Sequence, residues 1–359
     1  MPNPASDILS APVGRTGQKG EPDALPSIEM GTMMTVGIHR YAIALTAAMA
    51  LPGAALAAER GAGFYLLGSK GPEAGITPPP GVYFQNDIWL YSGDLGGNKQ
   101  LPTGGRLAAG VTGDAVLAAP SLLWVLPEEV LGGRAGIGVT IPYGWMNTDA
   151  DLTLAGPRGG AVTGSVSDPI FTIGDPIVSG MIGWDAGNFH WNTGLMVNVP
   201  IGDYQDGEIS NIAFHHWGVD VNAALTWLDP ASGIELSGAI GMTFNAENPA
   251  TDYRTGNELH FEWAALKHFE RKWDLGLVGY AYDQVTGDSG EGANGPFKGR
   301  AFAVGATIGW NFEVADHPVS ARIKYFHEFD VENRAEGDSV FLTIAIPLSV
   351  PKRLDVAAK

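Results

Sequence analysis

Trp217-Gly218-Val219-Asp220-Val221-Asn222-Ala223-Ala224-Leu225-Thr226-Trp227 is the stretch that decides the fold. In an extended chain, Trp217, Val219, Val221, Ala223, Leu225 and Trp227 share one face, and Gly218, Asp220, Asn222, Ala224 and Thr226 share the other. Successive side chains of a strand point to opposite sides, so this strand has one apolar and one small, polar face. Soluble strands average about 5–6 residues, whereas a tilted strand needs about 9–11 to cross a bilayer's hydrocarbon. The run is of the second length, with an indole ring at each end, where membrane–water interfaces collect tryptophan.

The alternation recurs. Phe189, Trp191, Thr193, Leu195, Val197 and Val199 oppose His190, Asn192, Gly194 and Asn198. Ile234, Leu236, Ile240, Met242 and Phe244 oppose Glu235, Ser237, Ala239, Gly241 and Thr243. About twelve such segments follow from the period-two pattern, at 82–93, 113–125, 133–146, 173–185, 189–199, 216–228, 234–244, 258–269, 273–284, 299–312, 319–329 and 339–348. Their connections alternate short and long, as in outer-membrane barrels with short periplasmic turns and longer extracellular loops. Trp124, Trp145, Trp184, Trp191, Trp217, Trp227, Trp273 and Trp310 fall near strand ends, whereas Trp89 and Trp263 do not. The expected fold is therefore all-β: a transmembrane antiparallel β-barrel of about 12 strands over 81–348.

Composition agrees. The 359 residues carry 50 glycines, no cysteine, only 17% charged residues and a net charge of −18. Without cysteine there is no disulfide framework, thiolate metal site or thiol nucleophile. A net negative chain is a poor match to a phosphate backbone, so no nucleic-acid partner is expected. The one long apolar run, Tyr41 to Ala58, follows His39 and Arg40 and ends in Ala55-Leu56-Ala57. Broken by Pro52 and Gly53, it reads as a signal peptide rather than a membrane anchor. The expected organisation is an extension at 1–32, disordered or a misassigned start before Met33 or Met34, then a signal peptide at 33–58. A periplasmic N-terminal segment at 59–80, the barrel at 81–348 and a tail at 349–359 follow.

The polar faces supply the candidate functional residues. His260 and Glu262 share a face opposite Phe261 and Trp263; Arg322, Lys324 and Glu328 oppose Ile323 and Tyr325. Tyr280 and Tyr282 oppose Leu277 and Gly279, and Asp220 and Glu235 come from earlier strands. A charge on the lipid side costs about 2–4 kcal/mol at the midplane, so these nine are expected to face the lumen. There they fill a narrow barrel as an internal network, or line a solute path, with the tyrosine rings and cations offered to an aromatic solute.

Other chemistry is weaker. Gly287-Asp288-Ser289-Gly290 looks like a serine-protease nucleophile segment but lies in a glycine-rich loop with no matching histidine motif. His215 and His216, adjacent on an extended chain, point apart and make no metal pair. No nucleotide-binding or zinc-protease motif is present. No catalytic residue, metal or cofactor is expected.

Several loop segments carry a resemblance. They are Gly174-Asp175-Pro176; Val199-Pro200-Ile201-Gly202-Asp203-Tyr204; Thr251-Asp252-Tyr253-Arg254-Thr255-Gly256; Tyr282-Asp283-Gln284-Val285-Thr286-Gly287-Asp288-Ser289-Gly290; and Asn333-Arg334-Ala335-Glu336-Gly337-Asp338. In order and spacing the chain resembles the MetA-pathway of phenol degradation family. The resemblance implies a barrel in the outer membrane of a Gram-negative bacterium that passively takes up small hydrophobic or aromatic compounds. It also implies outer-membrane lipid and the barrel assembly machinery as partners, and places the Gly-Asp-Ser-Gly run in the family's own loop. One departure is the basic tail beyond Leu348, where many such barrels end on an aromatic residue. The rival readings are a structural or adhesive barrel with a plugged lumen, an outer-membrane barrel hydrolase with His260 or His268 as base, and a soluble sandwich.

Overall fold

The computed structural model describes residues 63–100, 106–155, 161–270, 272–293, 295–314 and 317–349. The extension, the signal peptide and the tail beyond Ser349 lie outside them. In chain order the strands are β1 Gly81–Gln100, β2 Arg106–Val130, β3 Gly133–Thr140, β4 Tyr143–Ala155, β5 Ala161–Ile173, β6 Ile177–Ala186 and β7 Phe189–Asn198. They continue with β8 Gly218–Asp229, β9 Ile234–Asn245, β10 Glu258–Phe269, β11 Trp273–Gln284, β12 Arg300–Val314, β13 His317–Glu332 and β14 Glu336–Ser349. Every pairing is antiparallel, and β1 pairs with both β2 and β14, which closes the sheet.

The wall has 12 strands because β3 with β4, and β5 with β6, are single strands bent in the middle. β2 pairs β3 with its lower half and β4 with its upper half. The bends fall at Ile141-Pro142 and Gly174-Asp175-Pro176, where each proline lacks the donor a ladder needs. Neighbouring backbone closes the interruption: Ile141 N donates to Pro120 O (3.1 Å), Gly174 N to Pro142 O (2.8 Å) and Val199 N to Pro176 O (3.0 Å).

The expected strands recur with nearly the same bounds from β7 onward. The first four are much longer, and the described residues in the gaps left between the expected strands, 94–112 and 147–172, are β-structure. The cause is physical. Above the lipid belt the outward face meets water, so the outward positions become Asp114, Asn147, Asp149, Asp151, Ser165 and Ser167 and the outward arm of the alternation is no longer apolar. Below that level the outward face is lipid-compatible, with Val221, Leu225, Leu236, Ile240, Phe261 and Leu277 all exposed. The turn Leu131-Gly132 has φ of 52° and 72°, the left-handed pair that suits a two-residue hairpin. Among the described residues no helix is long and apolar enough to cross a membrane.

The expected periplasmic segment corrects differently. Its described part, 63–80, runs inside the wall. Phe64 fills the space beside Gly218, and Gly63 lies against the Glu258 carboxylate, both at the long-loop end. Gly75 packs on His190 and Thr226, and Thr77 on Gly183, at the short-turn end where β1 begins. The segment therefore descends the lumen before the first strand starts.

Candidate functional site: a lumen in two halves

Inward positions of β8 to β14 are packed. Ala264, Leu266, Val278, Tyr280, Ala303, Phe326 and Phe341 form a buried cluster completed by Leu66 and Leu67 of the descending segment and by Trp89. Trp89 points inward, stacked on Tyr91 at 5.2 Å, which explains why it stood apart from the girdle tryptophans.

Polar groups on the same half bind the segment. Tyr65 donates to Glu262 (2.7 Å) and stacks on His260 with ring centroids 3.5 Å apart. His260 Nε2 meets Asp220 (2.7 Å), which also accepts from Thr243 (2.8 Å) and Asn222 (2.7 Å). With its amide nitrogen turned to Asp220, Asn222 offers its oxygen to Lys70 (2.6 Å). Lower down, Glu235 accepts from the Glu73 amide (2.6 Å) and from Ser237 (2.6 Å) and pairs with His268 (2.7 Å). Lys324 points its ammonium at the carbonyls of Gly68, Ser69 and Lys70. Near the long-loop end, Tyr280 and Tyr91 donate to Glu328 (2.8 and 3.0 Å), and Tyr282 donates to Glu258 (2.7 Å) beneath Arg334.

All nine candidate residues thus stand on inward positions, but in two groups. Asp220, Glu235, His260, Glu262, Tyr280, Tyr282 and Glu328 are buried against the segment or one another, each at most 5% exposed. Arg322 and Lys324 border an open cavity of ≈ 360 Å³, Lys324 being also buried against the segment at 3% exposure. Arg322 is held by a two-pronged pair with Asp274 (2.7 and 3.0 Å).

The cavity lies between the segment and the other side of the wall. Ser69, Lys70, Pro72, Glu73 and Ala74 form one boundary; Gln85, Thr140, Ile177, Ser179, Met181, Met196, Thr343 and Ala345 form the other. The reading from sequence missed this side. Ser179, Met181, Gly194 and Met196 stand on inward positions of β6 and β7, but of these the sequence reading put only Gly194 on a polar face, because small and uncharged residues carried no chemical flag. Nothing periodic in 63–80 marks it as a lumen element.

The loop motifs are clamps. Asp175 accepts from Gly202 N (2.8 Å), Phe214 N (2.8 Å), His215 N (3.1 Å) and Asn198 Nδ2 (3.0 Å), tying the 199–217 loop to the bend. Asp288 accepts from Gln284 (2.6 Å), Tyr253 (2.5 Å) and Gly256 N (3.1 Å), and Ser289 pairs with Arg254 through backbone alone. His260 and His268 pair with no serine in this geometry: they are engaged by Asp220 and Glu235. Among the described residues no cluster suits a metal ion.

Comparison with known proteins matches this architecture. The model of the family described as MetA-pathway of phenol degradation matches residues 97–344. An outer membrane channel from Pseudomonas putida F1 is similar in structure, with a TM-score of 0.61 at 11% identity, over 77% of this chain and 98% of that one. The transport unit of the autotransporter AIDA-I from Escherichia coli gives a TM-score of 0.36 at 10% identity, over 88% and 98% of the two chains. The CymD monoaromatic hydrocarbon channel gives 0.33 at 8% identity, over 75% and 88%. These last two scores are too low to carry an argument, and the first establishes the barrel fold. No curated protein matches the chain.

Proposed function

The chain belongs to the MetA-pathway of phenol degradation family, and from that premise we propose that it is an outer-membrane channel for passive uptake of small hydrophobic or aromatic compounds. The observation that carries this reading is the ≈ 360 Å³ cavity beside the descending segment. An apolar cavity of about 150 Å³ already holds a benzene molecule, so a single substituted ring fits with room to move. Met181, Met196, Ile177 and Pro72 offer it apolar and polarisable contacts, and Ser179, Thr140, Gln85 and Thr343 offer hydroxyl and amide groups to a phenolic oxygen. On this reading solute moves down its own gradient through the cavity.

Uptake into liposomes carrying the purified protein tests this. Phenol-sized aromatics are expected to enter faster than sugars of similar mass, and Arg322→Ala, at the cavity edge, is expected to change the ranking. Identical flux for every solute in both proteins refutes the proposal. The packed half of the lumen favours one rival, a plugged structural barrel, and that rival predicts no uptake and near-zero conductance. Insertion by the barrel assembly machinery completes the reading.

A further inference from the structure

The outward surface of β7 to β10 carries a depression of ≈ 500 Å³ whose floor and rim include Ala223, Gly238, Leu225, Leu236, Ile240 and Phe261. It arises from two small residues among large ones. Gly238 sits in register between Leu225 and Trp263, and Ala223 between Thr193 and Ile240. Trp191 and Trp227 close its short-turn end. That end is periplasmic, because outer-membrane barrels turn tightly there, and indoles mark the interface. One outward position below Ala265 on β10 stands Lys267, paired with Ile234 and exposed. Its ammonium reaches down to the Ser232 carbonyl in the turn, as a long cationic chain does at an interface.

We propose that this groove is a binding site for one phospholipid of the periplasmic leaflet. An acyl chain lies over Gly238 and Ala223, the Trp191 and Trp227 rings sit at the level of the glycerol, and the phosphodiester meets Lys267. Three features point to this occupant. The outward side chains of the groove are apolar throughout and lie in the lipid belt. The lipid-facing cation stands one step below, where a phosphate must be. The tryptophans fix the depth between them. The wall behind is continuously paired from β7 to β10, so the groove is no passage into the lumen.

The test is native mass spectrometry of the delipidated protein in detergent, titrated with palmitoyl-oleoyl phosphatidylglycerol. Wild type is expected to retain one lipid under activation that strips the others. Gly238→Leu is expected to lose it, and Lys267→Gln to weaken retention about tenfold. A Cβ at Gly238 meets Phe261 only at 3.6 Å, an ordinary contact, so the barrel accommodates the change. Ala223→Leu fills the same groove should Gly238→Leu fail to show the gel mobility of a folded barrel. Ala306→Leu, on the lipid face of β12, is the matched control and is expected to retain the lipid. Equal retention in the groove-filled variants and the control overturns the proposal, as does a wild type that holds no lipid more firmly than the rest.

Discussion

Replacing Lys324 by methionine tests whether the descending segment is a seated part of the lumen. The lysine is 3% exposed and directs its ammonium at three successive carbonyls, those of Gly68, Ser69 (2.8 Å) and Lys70 (3.3 Å), with the Phe341 ring 4.8 Å away. Hydrogen bonds with one charged partner contribute about 1.5–3 kcal/mol each. Burying the ammonium costs several kcal/mol, which offsets part of that gain. Methionine keeps the stem but leaves the carbonyls facing a thioether. A net loss of about 3 kcal/mol in seating follows, roughly a 100-fold rise in the displaced population at 1.4 kcal/mol per decade. Hydrogen exchange reads this directly: amides of 63–80 should exchange about 100-fold faster while those of β8 to β11 are unchanged. Planar-bilayer recordings should show added time in a wider state. Unaltered exchange and conductance in Lys324→Met would refute the clamp.

Asp175→Asn removes the charge that gathers four donors at the bend. Bonds of that kind weaken by about 1–2 kcal/mol each when the acceptor becomes neutral, so limited proteolysis should cut within 199–217 sooner while the barrel keeps its heat-dependent gel mobility. Gly305→Ala places a Cβ on the carbonyl oxygen of Tyr325 in the neighbouring strand, so the folded band on an unboiled gel should be lost or strongly reduced. Ser289→Ala should leave folding and solute uptake as in wild type, because that residue joins Arg254 through its backbone; labelling of wild type, but not the variant, by a fluorophosphonate would contradict this.

Much of the wall was legible because lipid imposes a rule. Outward positions between the girdles are predominantly apolar, so Val219, Val221, Leu225, Leu236 and Ile240 announce their strands and the parity of their neighbours. The rule lapses where lipid ends. At Asn147 to Leu154 and at Ala161 to Asp168 water lies outside, the outward arm turns polar and only inward residues such as Ala150, Leu152 and Val166 stay apolar, so the lipid-facing signal is lost and the strands read as loops. The segment 63–80 was illegible for another reason. Its partners are Glu262, Asn222, Glu235 and Lys324, far away in sequence, and it pairs with them by single hydrogen bonds rather than by a ladder. Nothing local encodes such a path.

Barrel size bears on where a pore can run. About eight strands leave an interior that side chains fill, whereas 16–18 leave an aqueous channel. Twelve strands fall between, so inward charges need something to meet, and the descending segment provides it. On the function proposed above, the solute path runs along the cavity beside Ser179, Met181, Gly194 and Met196, whose side chains make no bond to the segment. Two substitutions separate this view from one in which the inward tyrosines guide solute. Ser179→Trp puts an indole across a ≈ 360 Å³ cavity without touching the buried carboxylates, and should cut aromatic uptake at least several-fold in a folded barrel. Tyr280→Phe removes only the bond to Glu328, costing about 1–3 kcal/mol of stability, and should leave uptake rates where they were. The opposite ranking, with uptake sensitive to Tyr280 and indifferent to Ser179, would place the path on the β8 to β13 side and require the segment to leave the lumen during transport.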